Sequence, residues 1–213
     1  MKFENLVEWV GVEPVFETGL LLAGSIDPMD VRKQLSRWTA GGKVIQLRRG
    51  LYALAAPYQK IKPHPFLVAN RLVAGSYVSL QSALAYYDLI PEYVPVTTSV
   101  TTGRPAQVQT PLGNYLYRHV QADWFHSYVF VELGDNQSAY IATPEKALLD
   151  LIYLEPGSDT LAYLQELRLQ NLERLDMGKM QQIVQDAHKP KLARAYPIIV
   201  CLVEEERSGY DIL

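Results

Sequence analysis

Apolar residues recur along the first forty positions with a helical period. Phe3, Leu6, Val7 and Val10 fall at i, i+3, i+4 and i+7, which predicts a short amphipathic helix. A second helix is predicted from Glu13-Pro14, with proline in its first turn and Phe16, Leu20 and Ala23 on one face before Gly24 breaks it. Asp27 and Pro28 supply the N-cap and first residue of a third, in which Val31, Leu35 and Trp38 form a stripe ended by Gly41-Gly42. The period then shortens to two in KVIQLRRGLYAL, Lys43 to Leu54. With Arg49-Gly50 as a hairpin turn, Leu47 faces Tyr52 and Ile45 faces Leu54, all on one side. A type I turn with a bulge at Gly50 shifts that register. Arg48 and Arg49 sit at the tip in both.

YQKIKPHP, Tyr58 to Pro65, carries two prolines and two lysines between patterned segments and reads as a linker. Beyond it Phe66, Ala69, Asn70 and Leu72 predict one helix. Ser79 caps another with Leu80, Ala83, Leu84 and Tyr87 on its apolar face. VPVTTSVTT, QVQT and NYLYRHV are β-branched or aromatic runs separated by glycine and proline, the pattern of an antiparallel sheet. Thr143-Pro144 starts a helix from Glu145 to about Leu154, with Ala147, Leu148, Leu151 and Ile152 turned inward. The tail from Asp159 is helical by pattern, broken at Gly178 and Pro190, and IIVCLV suits helix or strand equally.

Composition adds a sign to this order. The chain has 213 residues, 48% of them hydrophobic, and a formal charge of −3, so a sizeable core is affordable and a globally basic coat is excluded. The charge is uneven. Pro28 to Lys62 holds eight Lys and Arg against the single acid Asp30, whereas the residues from Pro63 onward hold 11 basic and 17 acidic side chains. The third helix carries Arg32, Lys33, Ser36 and Arg37 opposite its stripe, with no acid among them. Three short helices followed by a two-stranded ribbon, basic from Pro28 onward, is the order of a winged helix-turn-helix over residues 1–62. The fold class expected is therefore α+β, with that unit followed by a mixed α+β domain over 63–213 containing an antiparallel sheet. On this reading Arg32, Lys33, Gln34 and Arg37 meet base edges, and Lys43, Arg48 and Arg49 meet phosphates of double-stranded DNA. A small helical subdomain with a solvated basic face is the plainer alternative.

Catalytic apparatus is sparse. His64, His119, His126 and His188 stand far apart, and neither a metal site nor a cofactor is expected. Phosphate-binding glycine loops and a nucleophile elbow are missing from the sequence. Lys146 and Asp150, four apart, read as a surface ion pair, Glu204 to Glu206 as a solvated end, and Cys201 as a small buried hydrophobe. Tyr115 and Tyr117 suit cross-strand packing better than stacking on a base. MKFENLVEWVG has no signal-peptide core and no apolar run approaches a bilayer span, so a cytoplasmic protein is expected.

Four stretches in order carry a resemblance: RRGLYAL, then YVSLQSALAYYDLIPE, then TTGRP with TPLGNYLYRHV, then IATPEKALLDLIYL. Together they resemble the AbiEi antitoxins of type IV toxin–antitoxin (abortive-infection) systems, from the N-terminus to about Leu154. The resemblance implies a bacterial winged helix that binds inverted repeats in its own promoter. It also implies a C-terminal domain that opposes a nucleotidyltransferase-like toxin, without a stable complex. It supplies no catalytic residue. An enzyme modifying the toxin or its target, a protein–protein adaptor and a stand-alone regulator remain the alternatives.

Overall fold

The computed structural model describes residues 2–22 and 27–210, with side chains to Ser208. The predicted first and third helices form as α1 (Phe3–Val10) and α3 (Pro28–Ala40). α3 starts as the local chemistry requires: Asp27 Oδ1 accepts from Met29 N at 2.8 Å, and Pro28 costs no hydrogen bond at the first turn. Gly41 caps its end, and Gly42 takes the left-handed φ of +67° that turns the chain into the ribbon.

The segment between α1 and α3 departs from the expected helix. Phe16–Glu17 forms a two-residue strand, β1, and only Thr18–Leu21 is helical, as α2. Phe16 is held by its partner Tyr52, whose ring stacks on it at 5.8 Å, so tertiary pairing overrides the local period. The Ala23 and Gly24 positions of that expectation lie outside the described residues.

The hairpin joins β2 (Val44–Arg48) to β3 (Leu51–Leu54), and the sheet order is β1-β3-β2. Arg49-Gly50 is indeed the turn, with Gly50 at φ +85°. The expected register slips by one residue. Arg48 faces Leu51, but Gln46 faces Tyr52 and Val44 faces Leu54, because Leu47 is an extra, bulged residue. The slip gives the ribbon two buried faces. Val44 and Leu54 join Phe3, Leu6, Val10, Val31, Leu35 and Trp38 beneath α1 and α3. Leu47, Leu51 and Ala53 turn the other way, into the core of the rest of the chain.

That second core is built on a six-stranded sheet ordered β6-β7-β5-β4-β9-β8. Its strands are β4 (Ser76–Val78), β5 (Val96–Thr101), β6 (Ala106–Thr110), β7 (Gly113–His119), β8 (Tyr128–Gly134) and β9 (Gln137–Ala142). The sheet is mixed, not antiparallel as expected: β5 runs parallel to β7, and β4 parallel to β9. The predicted helices form as α4 (Pro65–Leu72), α5 (Leu80–Tyr86) and α6 (Pro144–Leu154), and of the predicted caps Thr143 accepts from Lys146 N at the start of α6. α7 (Leu161–Glu166), α8 (Met177–Ala187) and α9 (Pro190–Tyr210) follow. Gly178 does not break the chain but lies inside α8, and IIVCLV is helical within α9 despite Pro197. Cys201 is exposed on α9, not buried, with its thiol 3.6 Å from Glu205 Oε1. Of the three glutamates nearby, Glu206 leaves solvent in part and accepts from Leu172 N at 2.7 Å.

The stretch after Tyr58 is held at its end. Buried Gln137 donates through Nε2 to Lys62 O (3.0 Å) and accepts at Oε1 from His64 N (2.7 Å), fixing the chain as it enters α4. No helix among the described residues is long and apolar enough to cross a membrane.

Candidate nucleic-acid interface

α3 sorts its side chains as the wheel requires. Val31, Leu35 and Trp38 are buried, while Arg32, Lys33, Ser36 and Arg37 are exposed together and line a shallow concavity. Met29, 57% exposed, lies on the same side. Among the described residues none of these three cations forms an ion pair with an acid. Gln34 is half-buried beside the apolar stripe, at the margin of this face.

The three cations assigned to phosphate contacts are less alike than their sequence suggests. Arg49 is exposed at the turn and takes part in no ion pair among the described residues. Arg48 is committed to the protein: its Nε and Nη2 donate to Arg71 O at 3.3 and 3.2 Å, near the end of α4, and its Nη1 donates to Arg49 O at 3.2 Å. Lys43 is half-buried with its ammonium 4.7 Å from the Phe3 ring centroid, a cation–π contact that ties the ribbon to α1. The structure thus gathers Arg32, Lys33 and Arg37 on one face and sets Arg49 at the ribbon's tip. It gives Arg48 and Lys43 protein partners.

A second cluster went unread in the sequence. Lys146 and Asp150 on α6 form an ion pair with both side chains fully buried, correcting the expected surface pair. Asp150 Oδ2 accepts from Ser79 Oγ at 2.6 Å and Tyr77 OH at 3.1 Å. Its Oδ1 accepts from Trp124 Nε1 at 2.6 Å and from Lys146 Nζ. Ser79 therefore spends its hydroxyl on Asp150 and makes no cap bond to α5. The Lys146 ammonium also lies 4.0 Å from the Trp124 ring centroid. Burial pushes Lys146 below the usual ammonium range, and the Asp150 carboxylate pulls it back up. The cluster is buried and fastens α6 to β4 and to the Trp124 turn. The signal was partial: at about 100° per residue Ala147, Leu148, Leu149, Leu151 and Ile152 span roughly 200° of α6, wider than a one-sided stripe, and the gap they leave is where Lys146 and Asp150 stand.

Tyr115 and Tyr117 are fully buried in the second core, as cross-strand packing predicts, and Tyr117 OH donates to Ala69 O at 2.7 Å. Among the described residues no group of three His, Cys, Asp or Glu side chains is placed to hold a metal ion.

No family model and no curated protein matches the chain. The crystal structure of the RV2827C protein from Mycobacterium tuberculosis is similar in fold, with a TM-score of 0.55 at 15% identity, over 92% of this chain and 75% of that one. At that identity the likeness concerns the fold alone.

Proposed function

We propose that this chain is a winged-helix DNA-binding protein, the antitoxin and transcriptional autorepressor of a type IV toxin–antitoxin operon. The observation that carries the DNA-binding part is the cationic face of α3, where Arg32, Lys33 and Arg37 stand exposed without acidic partners among the described residues. The order α1-β1-α2-α3-β2-β3 with sheet order β1-β3-β2 supports a winged helix with α3 as the recognition helix and the hairpin as its wing. Arg49 reaches phosphate from the hairpin tip, and Arg32, Lys33, Gln34 and Arg37 meet base edges. The antitoxin part rests on the four motif stretches that resemble AbiEi proteins. The second unit then acts on a nucleotidyltransferase-like toxin in the cytoplasm without forming a stable complex.

The test is a mobility-shift competition with the full chain, setting duplex from the region upstream of its own gene against a scrambled duplex. Preference for the upstream duplex is expected, relaxed by about 1–3 kcal/mol in Arg37→Ala if that side chain reads a base. Equal competition by both duplexes contradicts the repressor reading.

A further inference from the structure

We propose that β8 is a self-association edge, through which two copies of this chain pair antiparallel across a two-fold axis at Phe130. β8 ends the six-stranded sheet, and its outer side meets no strand among the described residues. Natural sheet edges are blunted by lysine, proline, shortness or bulges, because an open row of backbone donors and acceptors recruits another strand. β8 has little of this protection. It is seven residues long, YVFVELG, with no Lys, Arg or Pro and one charge, Glu132, and its irregularity lies at the far end between Glu132 and Gly134. Three successive large apolar residues are open to solvent on both faces of the strand: Tyr128 at 36%, Val129 at 42% and Phe130 at 61%. Tyr140, on β9 opposite Phe130, extends the patch at a ring distance of 5.3 Å and is itself 46% exposed. The other edge of the same sheet is built differently. β6, AQVQT, alternates exposed glutamines with partly covered Ala106, Val108 and Thr110, the pattern of an edge that faces water.

The occupant is a second copy because the strand is complementary to itself. Val129, Phe130 and Val131 read the same from either end, and Tyr128 and Glu132 flank them as a donor and an acceptor. In an antiparallel pair centred on Phe130, the two Phe130 rings meet at the axis and each Tyr128 hydroxyl faces the other copy's Glu132 carboxylate. On the opposite face each Val129 meets the other copy's Val131. Like charges are kept apart, since each Glu132 lies opposite a tyrosine. A two-fold pairing uses the same edge on both partners and closes at two, so it removes the exposed edge without propagating.

Light scattering of the full chain across the micromolar range should show the mass rising from 24.1 kDa toward twice that value. Phe130→Lys places equal charges opposite each other at the axis and should weaken association by at least about tenfold. The residue is mostly exposed, so unchanged thermal unfolding is expected. Exposed Cys201 is first replaced by serine; in that background Phe130→Cys should form an intermolecular disulfide on oxidation, whereas Glu132→Cys, facing the other copy's Tyr128, should not. A mass fixed at one chain throughout overturns the proposal. So does a dimer that survives Phe130→Lys, or cross-linking through Glu132→Cys in place of Phe130→Cys. If Phe130→Lys fails to fold, the cysteine pair decides.

Discussion

Lys146 and Asp150 stand one turn apart on α6 and close an ion pair in which both side chains are wholly buried. Asp150 is the hub, accepting from four donors on three parts of the chain, whereas Lys146 serves only Asp150 and two aromatic faces. Breaking a buried pair by removing one partner costs about 3–5 kcal/mol. Asp150→Leu orphans the ammonium and three neutral donors, so it should lie at or beyond the top of that range. Lys146→Met leaves the carboxylate its three neutral donors and should cost less. Urea unfolding of the two variants checks the order, and an equal or reversed cost contradicts the hub assignment.

Alkaline pH should unfold the chain through three buried phenols and the half-buried Tyr87. Burial pushes Tyr87 and Tyr115 up to about 12, and pushes Tyr77 and Tyr117 further in the same direction. Each stays protonated in the folded state, while its unfolded counterpart ionises near pH 10. Above that pH the unfolded chain binds fewer protons, so this stability is fully present below pH 10 and is lost as pH climbs toward 12. Tyrosinate absorbance from these four should appear only as helical ellipticity falls. Their titration before unfolding contradicts the burial.

The ribbon links the two cores, which predicts cooperative unfolding. Leu51 is fully buried and packs with Leu47 and Ala53 into the core that holds Leu148. Leu51→Ala and Leu148→Ala should each cost about 2–5 kcal/mol. Both should accelerate hydrogen exchange of Val44–Leu54 amides together with those of α6. Leu148→Ala that leaves ribbon protection untouched shows two independently stable units.

Much of this was legible because it is local. α1, α3, α4, α5 and α6 follow from period, proline and cap residues that sit within a turn of each other. What failed was set at long range. Phe16 is a strand residue because Tyr52 lies across from it, and the Leu47 bulge exists because the ribbon has a second face to bury. The parallel pairings β5–β7 and β4–β9 join segments whose register no local pattern records. For the candidate interface, the cations of α3 and Arg49 were readable as an unopposed charge run. That Arg48 is tied to Arg71 O and Lys43 to the Phe3 ring depends on tertiary neighbours.

On the proposed DNA-binding reading, those tethers give two adjacent arginines different expected roles. Arg49→Ala should flatten the salt dependence of DNA binding by about one phosphate's worth, a change of about 0.9 in slope. Arg48→Ala should leave the slope closer to wild type and instead lower stability, since Arg71 O loses its guanidinium donor. Fluorescence anisotropy at several salt concentrations, beside thermal unfolding, distinguishes them; the opposite assignment puts Arg48 on the phosphate.

The cationic face of α3 is tested most directly by the salt dependence of upstream-duplex binding, comparing the full chain with its Arg32→Ala/Lys33→Ala/Arg37→Ala variant. All three side chains are exposed, so the fold should persist. Each phosphate contact contributes about 0.9 to the slope of log K against log salt, and contacts to base edges add affinity beyond it. The account predicts that the triple variant loses preference for the upstream duplex over a scrambled one. Its slope should fall by less than the roughly 2.7 that three phosphate contacts would carry, because these side chains are assigned to base edges. A folded triple variant that keeps the wild-type slope and the wild-type preference contradicts it.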